Sequence, residues 1–474
     1  MNATPAVRPR AVLAVCCLSL FIVGVDNTIV NVALPAIRDD LHASVAGLQW
    51  TVDAYTLVLA SLLMLAGSTA DRVGRRRVFQ LGLATFTLAS LLCSLAPGLG
   101  WLVAARALQA VGGSMLNPVA MSIITNTFTE PRERARAIGV WGAVIGISLA
   151  LGPVLGGTLV DTVGWRGVFW VNVPVGVAAL LLTRAYVPES RAPRARRPDP
   201  VGQLLVAAGL AGLVGGVIEG PGRGWHSPLI LGLFAGAVVA ALLLVRHELR
   251  RDEPLIDVRF FRSAPFSGAT ATAVCAFAAL GGFLFLNTIY LQDVRGYSPL
   301  TAGLCTLPLA AVTVVAAPLS GRIVGSRGPR GPLVAAGIAI AASALALVGL
   351  TAHTSLPQLL ATYVVFGTGF GLVNAPITNA AVSGMPREQA GVAAAVASTS
   401  RQVGQSLGVA VLGSLVVAGV AGPLRVGFAP ASHAGWWLVA GLGAAISLLG
   451  LLTTTGWARQ TAAVTAARLT PAAA

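Results

Sequence analysis

The sequence predicts an all-α integral membrane protein: fourteen spans, arranged as two six-helix bundles with a helix pair inserted between them, both termini in the cytoplasm. Three observations carry this expectation. The chain is 55% hydrophobic and only 10% charged, with a mean hydropathy of +0.80, whereas soluble chains carry about 25% charged residues. Fourteen spans of ~20 residues use ~280 positions, and the rest of the 474 residues leaves loops of about thirteen, too short for a sizeable soluble domain. All 32 basic residues are arginine, and they alternate between loops as positive-inside topology requires.

The apolar runs lie at about 11–33, 48–68, 78–96, 101–124, 137–159, 167–187, 201–219, 228–246, 267–290, 300–320, 331–351, 357–380, 391–420 and 434–456. Backbone groups in lipid must bond within their own segment, and runs this long exceed a spanning strand, so each is read as a helix. The first run follows Arg8 and Arg10 but is too long for a signal peptide. With its start inside, 25 arginines fall on the cytoplasmic side and five (Arg38, Arg166, Arg223, Arg295, Arg425) outside. Arg106 and Arg401 remain within spans. The net charge of +15 therefore sets topology rather than recruiting nucleic acid. Charged stretches at 188–200 and 246–262 flank the seventh and eighth runs. They divide the chain into a first bundle (1–187), linkers with an inserted pair (188–262), and a second bundle with its tail (263–474).

Taken in chain order, the first helix ends V-D-N-T-I-V-N-V-A-L-P-A-I (Val25 to Ile37). Asp26 lies in an apolar run, where burial disfavours the charged form, making it a candidate proton carrier. The segment resembles the first helix of the fourteen-span drug:proton antiporter family. Asp53, in Q-W-T-V-D-A-Y, enters the second helix from outside, either as an interfacial carboxylate or as a coupling group. The stretch G-S-T-A-D-R-V-G-R-R-R (Gly67 to Arg77) allows a tight turn at Gly67 and Gly74, with Asp71, Arg72 and Arg75 at the cytoplasmic rim. It resembles the loop signature of the major facilitator superfamily, and a degenerate copy begins at Gly321. That resemblance implies that Asp71 faces the start of the thirteenth helix, near Gly391, as a latch favoured by the helix dipole.

The fourth helix carries L-V-A-A-R-A-L-Q-A-V-G-G (Leu102 to Gly113), similar to the family's arginine-bearing signature, with Arg106 and Gln109 in place. An arginine within a span costs about 2.5–3.5 kcal/mol; Arg106 either snorkels outward or pairs with a buried carboxylate. The fifth helix, G-V-W-G-A-V-I-G-I-S-L-A-L-G-P-V-L-G-G (Gly139 to Gly157), resembles the superfamily's exporter motif. Gly139, Gly152, Gly156 and Gly157 permit close helix approach, and Pro153 removes a backbone bond. Glu219, beside Gly220-Pro221-Gly222, is assigned to a turn. Arg401 lies well inside the thirteenth helix. The run Gly367 to Leu372 follows no strand and is not a dinucleotide loop.

The resemblance covers nearly the whole chain and implies proton-coupled efflux of lipophilic drugs or antibiotics by alternating access, from a bacterial cell membrane. Asp26, Asp53 and Arg106, all in the outer half of one bundle, would form an acid–acid–base cluster, and an acidic cavity would favour cationic cargo. An endogenous metabolite or self-made antibiotic is the alternative cargo. A membrane-embedded enzyme or sensor is a remote alternative, because neither a paired acid/base or metal constellation nor an appended soluble domain is evident. The expected partners are a small-molecule substrate, protons and the lipid bilayer, with no nucleic acid and no cofactor; the proton gradient supplies the energy.

Overall fold

The computed structural model describes residues 8–192, 198–251, 253–383, 385 and 390–469. Fourteen helices are long and apolar enough to cross a membrane: α1 (Pro9–Leu41), α2 (Val45–Val73), α3 (Arg75–Ser94), α4 (Leu99–Thr127), α5 (Arg132–Val163), α6 (Gly167–Tyr186), α7 (Pro200–Arg223), α8 (Pro228–Glu248), α9 (Ala264–Val294), α10 (Pro299–Arg327), α11 (Arg330–Val348), α12 (Leu356–Val382), α13 (Val392–Gly419) and α14 (Leu424–Leu452). A further helix, α15 (Gly456–Leu469), follows them. It is no loose tail, since Thr461 Oγ1 accepts a hydrogen bond from Ala264 N at 3.0 Å.

Local chemistry sets the ends of these helices. Ser44, Ser227 and Ser298 cap α2, α8 and α10 by accepting the N–H three residues on, which satisfies one orphan donor each. Asp199 caps α7 through Gly202 N at 3.0 Å. Burial works to raise its carboxyl, but Gly202 N–H, His247 and Arg251 outweigh burial and hold it below the usual range. The helices overrun the apolar stretches at most ends, and two of these shifts have a consequence for the site or the packing. The α14 helix begins at Leu424 rather than 434, because Gly427, Pro430, Ser432 and His433 dilute its hydropathy while it still packs inside the molecule. The α7 helix runs through Pro221 to Arg223, so Glu219 sits in helix rather than in a turn.

Packing repeats between the halves. In the first half α1 packs on α5 and α6, α2 on α4, and α3 on α4 and α6. In the second half the counterparts pack alike: α9 on α13 and α14, α10 on α12, and α11 on α12 and α14. The halves meet where α2 lies along α13 and where α5 lies along α10, contacts that exchange under the same repeat. The α7 helix covers the first of these seams, touching α2 and α13 together, while α8 packs on α7 and is otherwise largely exposed.

Candidate functional site

Asp26 is fully buried, but its surroundings are polar, which corrects the apolar setting expected for it. Arg106 Nη1 donates to its Oδ2 at 2.6 Å. Gln109 Nε2 and Asn172 Nδ2 each donate to its Oδ1 at 2.8 Å. The network extends outward: Arg106 Nη1 also donates to Gln109 Oε1 at 2.6 Å, its Nε to Thr51 O at 3.2 Å, and Gln109 Nε2 to Ser90 Oγ at 2.7 Å. The guanidinium carbon lies 4.2 Å from the Tyr55 ring centroid, a cation–π contact that helps hold a desolvated charge. Arg106 is 1% exposed, so it does not snorkel. Every member of this cluster lies in α1, α2, α3, α4 or α6, within one bundle.

Asp53 stands apart from that cluster, contrary to the three-group site expected. It too is fully buried. Its Oδ1 accepts from Thr56 Oγ1 at 3.2 Å, and the Ser406 hydroxyl of α13 is the carboxyl's polar neighbour across the seam, loosely placed for a hydrogen bond. Around them runs a polar seam between the bundles. Asn27 and Gln405 exchange hydrogen bonds at 3.2 and 3.3 Å, and Gln49 Nε2 donates to the carbonyls of Val409 and Ala410 at 3.1 and 2.8 Å. Trp50 Nε1 donates to Glu219 Oε1 at 2.9 Å and Ser414 Oγ to Val217 O at 2.8 Å, so α7 grips both sides of the seam.

The glycine-rich α5 has two working faces. On one, Cβ atoms added at Gly152 and Gly156 would strike Thr28 and Ile29 of α1, the latter at 2.8 Å from its Cγ1. On the other, Gly146, Pro153 and Gly157 meet Val314, Gly303 and Leu300 of α10. Gly139 and Gly142 continue that second face at seven and four residues from Gly146, yet nothing lies within 4 Å of a Cβ there. Gly321 and Gly325, which continue α10 from Val314, are equally open. The two helices therefore touch from mid-span to the arginine-poor end and diverge toward the arginine-rich end. At the arginine-poor end Arg38 of α1 grips Asp293 of α9 with two bonds of 2.7 and 2.8 Å. Gln292 Nε2 donates to Val32 O at 2.8 Å and Leu300 N to Asp161 Oδ2 at 3.1 Å.

The loop between α2 and α3 turns at Gly74, whose φ of +130° suits glycine. A Cβ there would also meet the Glu189 carboxylate at 2.8 Å. Asp71 pairs with Arg75 at 2.8 Å, its carbonyl accepts from Ala192 N at 3.0 Å, and Ser190 O accepts from Arg75 N at 2.9 Å. Arg72 is exposed, and a Cβ added at Gly67 would meet Pro118 at 3.7 Å. The expected docking of Asp71 on the thirteenth helix near Gly391 involves residues 386–391, whose side chains lie outside the described set; the described partners tie the loop to the linker before α7. Arg401, half-buried on α13, donates from Nη2 to Thr378 Oγ1 of α12 at 2.7 Å.

Sequence reasoning found Asp26, Arg106 and Gln109 but passed over Asn172, Ser90, Asn27, Gln405 and Ser406. Neutral polar side chains inside long apolar runs were the available signal.

Comparison with known proteins follows the same line. The family model described as Major Facilitator Superfamily matches residues 16–409. The multidrug resistance protein Stp of Mycobacterium tuberculosis is 40% identical over 408 residues, 86% of this chain and 76% of the relative. The tetracenomycin C resistance and export protein of Streptomyces glaucescens is 40% identical over 415 residues, covering 87% and 77%. The methylenomycin A resistance protein of Bacillus subtilis is 33% identical, covering 93% of both chains. A bacterial homologue of the lysosomal transporter Spinster, solved inward-facing and unoccupied, superposes with a TM-score of 0.63 at 20% identity over 99% of this chain and all of that one.

Proposed function

The chain belongs to the major facilitator superfamily, and from that premise we propose that it expels drugs or antibiotics from a bacterial cell in exchange for protons. The bundles alternate access by rocking against one another, which closes and parts the seam of α1, α2 and α13. The arginine distribution assigns the joined end to the outside, so the conformation described receives cargo from the cytoplasm through the gap between α5 and α10. The tetracenomycin C resistance and export protein among the relatives favours an antibiotic cargo; an endogenous metabolite or self-made antibiotic is the second reading.

The observation that carries the coupling is the contrast between the two span carboxyls. A proton can drive a switch only if it binds the two conformations differently. Asp26 has all its described partners in one bundle, so a rigid rocking motion leaves them unchanged. Asp53 faces the Ser406 hydroxyl of the other bundle and, unlike Asp26, forms no ion pair with a cation among the described residues. Neutral, it fits the closed seam; ionised, it would bury an uncompensated charge costing several kcal/mol. Release of its proton to the cytoplasm therefore favours parting α2 from α13, which carries the cargo outward.

Proteoliposomes with an imposed pH gradient test this reading. Wild-type protein moves drug only with the gradient, and Asp53→Asn binds drug but loses gradient-driven transport by more than about tenfold, the effect of a 1.4 kcal/mol loss of coupling. Gradient-driven transport that survives Asp53→Asn and vanishes in Asp26→Asn returns the proton to the first helix. Efflux indifferent to the gradient removes proton coupling altogether.

A further inference from the structure

We propose that the cavity between the bundles selects anionic amphiphiles, compounds with a carboxylate, phenolate or sulfonate beside an apolar ring system, and that Arg401 holds the negative charge. The inference rests on the export reading and adds the charge of the cargo to it.

Arg401 and Gln405 are one turn apart on α13 and share a face. Gln405 bonds to Asn27 of the opposite bundle, so this face looks across the gap. Arg401 lies one turn nearer the arginine-rich end, where α5 and α10 diverge. Of its five N–H donors, one is bonded among the described residues, to Thr378. Its Nε is buried without a partner, and no described carboxylate forms an ion pair with it. Arg106, buried in α4, shows what such a charge ordinarily requires: a carboxylate at 2.6 Å. A guanidinium placed mid-span is costly, and at Arg401 one hydroxyl and one ring are what the described residues set against that cost. A bound anion would offset it.

The electrostatic setting agrees. Both span carboxyls near the gap, Asp26 and Asp53, are fully buried, so neither presents a negative surface to a cargo. Arg401 bonds to the neutral Thr378 and lies one turn from the Gln405–Asn27 pair, and a positive charge between low-dielectric walls acts over a longer range than in water. Phe277, half-buried on α9, has its ring centroid 6.0 Å from the guanidinium carbon and packs edge-on to Phe370 at 5.2 Å. The cation thus stands beside an aromatic surface on which the apolar part of an amphiphile can lie. The competing role is internal. Ser406, which lies against Asp53, is five residues from Arg401, so rocking could bring the arginine to Asp53 as its counter-charge.

Fluorescein and rhodamine 123 share a xanthene frame but are an anion and a cation, which makes them a matched pair. Their dissociation constants are measured by fluorescence anisotropy on protein in lipid nanodiscs, beside efflux from loaded cells. Wild-type protein binds fluorescein more tightly than rhodamine 123. Arg401→Gln weakens fluorescein by roughly ten- to a hundredfold, as expected for one charge-assisted hydrogen bond, leaves rhodamine 123 unchanged or tighter, and Arg401→Lys restores part of the loss. A wild-type preference for rhodamine 123 overturns the proposal, and that comparison stands whether or not a variant folds. Equal weakening of both dyes in Arg401→Gln, relieved by adding Asp53→Asn, also overturns it and assigns Arg401 to Asp53. Tight fluorescein binding without cellular efflux leaves the charge selection standing and removes export; export of rhodamine 123 with no response to fluorescein does the reverse.

Discussion

Asp26 and Arg106 show how a membrane core tolerates full charges. Two ions taken out of water lose several kcal/mol each, and their attraction recovers this only when the remaining donors and acceptors are also satisfied. Here Gln109 and Asn172 complete the carboxylate, while Thr51 O and the Tyr55 ring complete the guanidinium. Arg106→Gln should therefore destabilise the protein by about 3–5 kcal/mol, since it strands a buried carboxylate. The double variant Asp26→Asn/Arg106→Gln should recover most of that loss in thermal unfolding in detergent. Additive losses would mean that the two charges are not coupled. The charged pair was legible because each ion in an apolar run demands a partner. Asn172 was not, because an asparagine near a helix start looks the same whether it faces a carboxylate or the interface.

Among the elements, α5 separates two jobs that glycine spacing alone does not distinguish. Its Gly152/Gly156 face is packed on α1, whereas Gly139 and Gly142 look into open space. Gly156→Leu should disrupt the first bundle, with loss of folded protein in size-exclusion chromatography. Gly142→Leu should fold normally and instead wedge α5 from α10, cutting drug efflux at least tenfold. Spin-label distances between the arginine-rich ends of α5 and α10 would then stay long where wild-type protein samples short ones. Short distances in Gly142→Leu would show that this face never closes. The sequence marks the motif and its helix, but a packed face and an open one have the same composition, and only the position of α10 tells them apart.

For the whole molecule, the joined end depends on a few cross-bundle bonds, chiefly Arg38 with Asp293. Removing that pair takes stability from one conformation only, so Asp293→Asn should shift the population toward the outward-open form. A cysteine introduced at Val32, beneath the Gln292 bond, should then react faster with a membrane-impermeant maleimide; an unchanged rate would mean the pair does not hold the gate. The α7 helix adds a constraint of its own, since it is bonded to Trp50 on one bundle and Ser414 on the other and must release one of them when the seam parts.

Hydropathy and arginine placement alone determined the helical class, the fourteen spans and the inserted pair, because lipid forces every backbone group to bond within its segment and charge away from the hydrocarbon. Which end is joined, the separation of Asp53 from Asp26 and the open face of α5 were decided by tertiary structure. They depend on which helices approach and where they part, a long-range property that a local pattern of residues does not encode.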